Sequence, residues 1–421
     1  MNYMPPLKVA CCCIFFLAVA YIYHPIMHMS FSIIDDPWML LVNKYTHPAD
    51  FGAQYFKAVF TRINDIQYSP VNTLYYALIY RVNKFDPYFF HLFNVVLHLC
   101  NALMILLVSE RILQLFDIDH RKIISIITAM IWCIHPINVE PVIWVSGSKI
   151  LLCTLFSLLS FYGFLLAFSR GKSIHWLICI VCFIISMFIK EQGMMTPYMF
   201  ILFILAYKLR FPDQQWSVLF KSYPVYFILI VMSVTFCLFT VFKVNEVETS
   251  NFKPIATYPL LQRILLCFFC LRFYLVNLIF PVNLHYHYPF PIRPYDPVPL
   301  SFYAFPLMFV LFFICLILYI WKSKNFPFIF LCVGILLIQL SLELQIIPMT
   351  RPAIMADRYM YLPSFSLILL AVSWSVNSLY KKIHHFLPKR LLLMFVLILF
   401  FFFVTYSEQL VFNWSQFNIV K

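Results

Sequence analysis

The sequence returns again and again to apolar runs of about 20 residues, the length a helix needs to cross a hydrocarbon layer of about 30 Å. Short polar turns separate these runs. Inside lipid a backbone must satisfy its own hydrogen bonds, so such a pattern folds as helices. Charged residues are scarce, 11% of 421 residues against 63% apolar ones, where a soluble protein carries about 25% charged. The expected fold is therefore an all-α polytopic membrane protein with residues 1–421 as one integral domain. The net charge of +13 is scattered between the runs, where Lys and Arg set orientation. No nucleic-acid partner follows from it.

Lys8 precedes an apolar run to about Tyr23 with no small-residue cleavage pattern, which reads as an uncleaved first span. Further spans are expected near 88–109, 122–137, 149–169, 174–190, 195–210, 222–243, 300–321, 326–343, 360–380 and 391–406. Basic turns at Arg111, Arg121 and Lys122, at Arg170 and Lys172, at Lys208, Arg210 and Lys221, at Lys322 and Lys324, and at Lys381, Lys382, Lys389 and Arg390 are placed inside. The 262–281 run, with Arg263 and Arg272, then has both ends on one side. It is read as re-entrant or interfacial, leaving about 11 crossings. A long outer loop, 24–86, carries two short interfacial helices, Pro48 to Phe60 and Pro70 to Val82. Polar clusters at 24–86, 138–148, 190–194, 244–260, 282–299 and 344–358 share that outer face.

Acids are rare here, and two stand together in Asp35-Asp36-Pro37. Asp before Pro suits a helix start, Asp36 as N-cap and Pro37 at N1. That leaves Asp35 either as a second interfacial acid or as a functional one. Between the third and fourth runs lies His135-Pro136-Ile137-Asn138-Val139-Glu140, continuing through Trp144 to Gly147-Ser148-Lys149. Asn138 can cap, Glu140 and Trp144 share a helix face, and Lys149 falls opposite Glu140 on a continuous helix. This is either an interfacial helix with a Trp belt residue or an acid set for proton transfer. Lys190-Glu191-Gln192-Gly193 reads as a helix stop with Gly at C′, yet Glu191 opposes the helix dipole. In the stretch from Thr350 to Ser364, Arg351 and Arg358 lie on a face where the positive-inside rule gives no reason for them. They suit a phosphate ligand, and Asp357 is expected to cap the next helix and pair with Arg358. The loop around His285 and Tyr288 reads as an aromatic interface anchor. The Cys179/Cys182 and Cys267/Cys270 pairs have metal-like spacing but lie in apolar runs without a His partner, and read as buried hydrophobes. No metal and no cofactor are expected, and no P-loop, dinucleotide fingerprint or nucleophile elbow occurs.

The Asp35-Asp36 pair, His135-Pro136 with Glu140 and Trp144, Gly147-Ser148-Lys149, Lys190-Glu191-Gln192-Gly193, Leu278-Ile279-Phe280-Pro281-Val282-Asn283-Leu284 and Ala356-Asp357-Arg358-Tyr359-Met360-Tyr361-Leu362-Pro363-Ser364 occur in this order. In that order they resemble the membrane domain of the transmembrane and tetratricopeptide-repeat-containing O-mannosyltransferases, a branch of the GT-C glycosyltransferases. The resemblance runs over nearly the whole chain. It implies a GT-C-like fold and a sugar, mannose in that family, carried on a polyprenyl phosphate. The acceptor would be a hydroxyl of a protein, glycan or lipid, and the sugar would be transferred with inversion on the external or lumenal face. The membrane would be a bacterial inner membrane, with the site periplasmic, or the endoplasmic reticulum in a eukaryote. Asp35 maps to the family's catalytic acid and Arg358 to a donor-phosphate ligand, with Arg351 and Lys149 in support. Asp36, Glu140 and Glu191 are supporting acids, and Trp144, His135 and Tyr359 candidate sugar or acceptor contacts. The candidate donor-phosphate loop is 344–364. Two departures stand out. The family carries repeats after its last span, and it favours Arg where this chain has Lys149. A transporter or flippase and another membrane transferase, such as an O-antigen ligase or acyltransferase, are the rival classes. The former usually places polar groups near the midplane in repeated halves.

Overall fold

The computed structural model describes residues 6–61, 63, 68–215, 222–244, 258–282, 284–344, 353–382 and 389–416. In chain order its helices are α1 (Pro6–Tyr23), α2 (Ala53–Thr61), α3 (Pro70–Asn83), α4 (Pro87–Leu115), α5 (Arg121–Ile134), α6 (Val139–Ile143), α7 (Ser148–Arg170), α8 (Ser173–Ile189), α9 (Thr196–Arg210), α10 (Tyr223–Phe239), α11 (Leu260–Ile279), α12 (Ser301–Ile320), α13 (Phe326–Leu340), α14 (Ser364–Lys382) and α15 (Lys389–Ser415). The apolar runs thus fold as helices where the sequence places them, and the loop ahead of α4 carries its two short helices. The start of α4 follows local chemistry. Pro87 occupies the first turn of α4, and the Asp86 carboxylate accepts the Tyr88 N–H at 3.1 Å.

Among the described residues five helices are long and apolar enough to cross a membrane by length and composition: Pro87–Leu115, Val145–Arg170, Tyr223–Phe242, Leu260–Ile279 and Leu397–Ser415. A sixth is added if α5 and the segment Pro136–Ile143, bent by 61° at His135, form one broken span. The 262–281 run is helical to Ile279, within one unbroken 20-residue helix, α11, and that helix contains no re-entrant turn.

The helices pack as a ring in which α4 lies on α5 and α7, α5 on α14, α14 on α13, α13 on α9 and α9 on α7. α8 lies along α7, and α1 pairs with α15. The α7–α8 contact depends on Gly163, where a Cβ would press on the backbone of His175 and Cys179. Ser160 donates to the Cys179 carbonyl at 2.7 Å in the same seam, the small-residue contact expected of helices in lipid. Cys179 and Cys270 are fully buried, as small apolar side chains would be. Phe161 and Phe164 of α7 and Phe200 of α9 stack in parallel where those helices meet, with 4.6 Å between the last two centroids. A buried polar thread crosses to the far side. His98 meets the Tyr361 hydroxyl at 2.7 Å, and Trp132 donates to the Tyr361 carbonyl at 2.9 Å. That thread joins α4 and α5 to the segment ahead of α14.

The one departure from all-helix among the described residues is a two-stranded ladder. Tyr288–Pro289 (β1) pairs antiparallel with Ala353–Met355 (β2). It carries the 288 loop onto the 357 segment.

Candidate functional site

The site is built around a three-residue turn. Asp36 donates its N–H to the Ile34 carbonyl at 2.8 Å, and Asp35 between them sits at φ 61°. Such a left-handed φ is uncommon for a residue other than glycine, and Asp tolerates it better than most. The turn is held open on both sides. The Asp36 carboxylate, fully buried, accepts the N–H of Ser32 at 2.7 Å, the N–H of Ser146 at 2.9 Å and the Ser146 hydroxyl. Trp144 donates its indole N–H to the Ile34 carbonyl at 2.9 Å, and Trp38 donates its own to Asp35 Oδ1 at 3.0 Å. Asp35 remains partly exposed. Asp36 is therefore no helix cap: its side chain makes no capping bond to the single π-type turn Pro37–Leu41 that follows. It clamps the loop to the 144–148 segment. Burial pushes its carboxyl up to about 7 against the pull of its three hydrogen bonds, and the charge of Asp35 adds to the rise.

The 135–149 segment is no continuous helix. It folds as a short 3₁₀ turn at Pro136–Asn138, then α6, a second 3₁₀ turn at Val145–Gly147, and α7. Gly147 allows the sharp entry, because a Cβ there would fall on the Pro141 backbone. Asn138 does not cap α6; its amide donates to the Trp132 carbonyl at 2.7 Å. The breaks turn Glu140 toward Arg358. Glu140 Oε1 receives the guanidinium at 2.6 Å, and Oε2 receives the Arg358 backbone N–H at 2.8 Å. Both Glu140 oxygens thus hold Arg358 in place. The guanidinium lies over the Trp144 ring at 4.8 Å and the Tyr359 ring at 5.1 Å, a cation–π sandwich. The partner expected for Arg358, Asp357, instead accepts the Tyr288 hydroxyl at 2.9 Å, and the next 3₁₀ turn is capped by Ala356 without a side-chain bond. Burial and then the Glu140 charge push the Asp357 carboxyl well above its ordinary range. Tyr288 is buried and locks the 285–288 loop to this segment instead of anchoring it at an interface.

A second charged knot lies at the start of α9. α8 ends at Ile189, and Lys190 is extended, at φ −155° and ψ 147°. No left-handed Gly cap follows; Gly193 lies within a 3₁₀ turn, Glu191–Met195. Lys190 points inward, where its ammonium meets Glu343 at 2.9 Å and Glu191 at 3.4 Å. Gln192 donates to the same Glu343 oxygen at 2.8 Å, and Lys190 lies over the Tyr359 ring at 5.4 Å. Tyr359 thus touches both knots. The α7 residue Lys149 is buried, with Nζ 3.6 Å from the Met39 sulfur of the Asp35 loop. Its charge is within electrostatic reach of Asp35, Glu191, Lys190 and Arg358.

The structure accordingly brings Asp35, Asp36, Glu140, Trp144, Lys149, Glu191, Arg358 and Tyr359 to one end of the bundle. His135 is different. It is buried, donates from Nε2 to the Leu278 carbonyl at 3.0 Å and accepts the Ile137 N–H at Nδ1 at 3.1 Å. Both ring nitrogens are used in pinning the α5–α6 bend to α11, so none is left for a sugar. Arg351 lies outside the described residues. Sequence reasoning missed Lys190 as a buried cation and Glu343 as its partner. An acid at the end of an otherwise apolar run, Ser341-Leu342-Glu343-Leu344, was the available signal. Trp38, three residues after Asp35, and Tyr288 were missed as well.

No known protein-family profile matches the chain. It is similar in part to Protein O-mannosyl-transferase TMTC3 from Homo sapiens, 28% identical over 170 residues, which is 38% of this chain and 18% of that protein. It is also similar to Protein O-mannosyl-transferase TMTC4 from Homo sapiens, 30% identical over 143 residues, 30% of this chain and 19% of that protein. Protein O-mannosyl-transferase F38B6.6 from Caenorhabditis elegans is 26% identical over 129 residues, 31% of this chain and 18% of that protein. The matched part spans less than a fifth of the length of these curated relatives.

Proposed function

We propose that the protein is a GT-C-like glycosyltransferase that moves a sugar from a polyprenyl-phosphate-linked donor to an acceptor hydroxyl, with inversion and without metal or cofactor. The observation that carries this reading is the turn at Asp35: a partly exposed acid held at a positive φ, within electrostatic reach of the buried Lys149. Strain of this kind persists only where the surroundings over-determine it, and it gathers at functional sites. Asp35 accepts the proton of the acceptor hydroxyl as that oxygen attacks the anomeric carbon. The bond from the anomeric carbon to the phosphate oxygen breaks, and its electron pair leaves with the phosphate. Arg358, oriented by Glu140 and stacked between Trp144 and Tyr359, and Lys149 stabilise that growing charge, with Arg351 in support. Lys190, held by Glu191 and Glu343, packs over Tyr359 and so fixes the ring on which Arg358 lies.

A lipid-linked donor suits the position of these groups at one end of an apolar bundle. Its isoprenoid lies in the bilayer and its head group at the interface. The relatives' names favour mannose as the sugar. They are animal proteins, which favours the endoplasmic reticulum, with the reaction on the lumenal face, over a bacterial inner membrane. The acceptor is a hydroxyl of a protein, glycan or lipid, and the topology proposed with it, about 11 crossings with the unbroken α11 lying at the interface, puts the polar clusters on one face.

The test is reconstitution of the whole chain in lipid nanodiscs with dolichyl-phosphate mannose and, separately, dolichyl-phosphate glucose, with mass analysis of acceptor peptides, glycans and lipids. Transfer from the mannose donor by the wild-type chain, lost in Asp35→Asn, is the expected result. Failure of the protein to bind either donor removes the enzyme reading, and turnover retained by Asp35→Asn moves the base elsewhere.

A further inference from the structure

The helices that end in the site carry a different arrangement at their other ends. α9 starts just after the Lys190 knot and runs 15 residues to Arg210, about 22 Å at 1.5 Å per residue. α13 runs the opposite way, from Phe326 to just short of Glu343. Where these far ends meet, Leu209, Arg210, the turn Trp321–Lys324, Phe326 and Pro327 line a recess of about 300 Å³. Three of these residues are cations and none is an acid.

Arg210 is built into the wall. Its Nε donates to the Phe116 carbonyl at 3.3 Å, beyond the end of α4, and one terminal nitrogen donates to the Lys324 carbonyl at 3.1 Å. The guanidinium is thereby fixed between two elements. Lys322 and Lys324 are exposed and meet no carboxylate among the described residues. Three like charges around one recess repel one another, and an anion relieves them.

A second feature points to where that anion comes from. Leu311, Ile314, Leu318 and Trp321 are spaced three, four and three residues apart on α12 and the turn after it, the spacing of one helix face. They are 52%, 49%, 75% and 59% exposed. Most of α12 is apolar and exposed, Leu307, Met308 and Phe312 included, and this row of it leads along the helix to the rim of the basic recess, ending in a Trp, the residue favoured at the boundary of hydrocarbon and water. An ion from solution has no use for such a stripe. A phospholipid has: basic pockets between membrane helices take anionic head groups while the chains lie on the adjacent helix.

We propose that this recess binds the head group of an anionic phospholipid, its phosphate held by Arg210, Lys322 and Lys324 and an acyl chain lying along the Leu311–Trp321 stripe. The proposal does not depend on the chemistry at the opposite end. The test uses the full chain in phosphatidylcholine nanodiscs containing phosphatidylserine, with retained lipid counted by native mass spectrometry. Lys322→Gln/Lys324→Gln is compared with Arg121→Gln/Lys122→Gln, an exposed basic pair at the start of α5, and with Leu318→Ser. Loss of about 1 kcal/mol per lysine makes phosphatidylserine retention roughly thirtyfold weaker in the first variant, at tenfold per 1.4 kcal/mol. The control pair changes it less than about threefold, Leu318→Ser lowers it, and millimolar inorganic phosphate does not displace the lipid. Equal losses in the two charge variants reduce the effect to general surface charge and overturn the site. Displacement of the lipid by inorganic phosphate, with binding indifferent to Leu318→Ser, overturns the lipid as its occupant.

Discussion

The two ends of the bundle hold their charges in opposite ways. At the Asp35 end, cations and anions are interlocked and largely out of water: Arg358 with Glu140, and Lys190 with Glu343 and Glu191. At the Arg210 end, Lys322 and Lys324 face outward, and Arg210 is held by backbone carbonyls. Burying a charge is tolerable only when it is paired and hydrogen-bonded, so the first end is fixed in one arrangement, with geometry suited to positioning a reacting group. The second end needs no internal pairing, because water and head groups can screen it. The contrast predicts that substitutions of the interlocked charges at the first end act on reaction and folding together, that the partly exposed Asp35 beside them acts on reaction alone, and that substitutions at the second end act on neither.

The largest effect is expected at Asp35. Asn fits the same left-handed turn and can still accept from Trp38, so Asp35→Asn removes the charge and leaves the backbone in place. Transfer should fall by about 10²–10⁴, the scale of a lost general base, with thermal unfolding unchanged. Donor-dependent turnover and a melting curve on the same preparation check it. A loss of activity accompanied by an equal loss of stability would make Asp35 a structural residue and erase the distinction between the turn and its supports.

Next come the buried pairs. Glu343 is 1% exposed and receives two donors, whereas Glu191 is 15% exposed and stands farther from Lys190. Glu343→Ala should therefore destabilise the protein by about 3–5 kcal/mol, the cost of stranding a buried charge. Glu191→Ala should cost about 1 kcal/mol or less. Denaturation of both variants in one detergent gives the order, and equal losses would mean that Lys190 uses the two acids interchangeably.

How much of this was legible depends on the range of the interaction. The helices could be read because an apolar run of about 20 residues is a local signal; α7 and α9 begin and end within a residue or so of where the runs do. The members of the site could be read as anomalies, acids and external arginines in a chain that otherwise avoids charge. Their partners could not. Glu343 was absorbed into the end of an apolar run, because its counterpart Lys190 lies 153 residues earlier. Tyr288 and Asp357 meet only through a strand pair between loops 69 residues apart. The roles of Asp35 and Asp36 could be separated, but not for the right reason. Asp-Pro suggests a helix cap, whereas Ser146, 110 residues away, makes Asp36 a clamp. Helix periodicity also misplaced Glu140, since the breaks at His135 and Trp144 depend on contacts with α11 and on the close approach at Gly147.

Asp36 tests whether the interlocked end is tuned to pH. Its folded carboxyl titrates at about 7 against an ordinary value of 3.8. The folded chain therefore holds a proton that the unfolded chain releases. Between about pH 4 and 7 stability declines as pH rises, and above 7 this contribution is flat. Asp36→Asn removes that slope. It also sets an amide N–H₂ against at least one N–H donor and should cost about 1–3 kcal/mol. Unfolding free energies of wild type and variant from pH 5 to 8 check both, and a difference that does not vary with pH would mean that Asp36 stays ionised throughout.

The smallest effect is expected at the open end, where it carries the comparison's other half. Lys322→Gln/Lys324→Gln removes two exposed cations whose side chains meet no carboxylate among the described residues, so unfolding should change by no more than about 0.5 kcal/mol. Lys190→Gln at the other end leaves Glu343 buried without its cation and should cost several times more. The pair of measurements is informative in either direction. A destabilised lysine variant would show that the cations at Arg210's end are held in the fold rather than presented to its surroundings. A tolerated Lys190→Gln would show that Glu343 can be neutralised in place, in which case the interlocked charges set the field at Asp35 without holding the helices together.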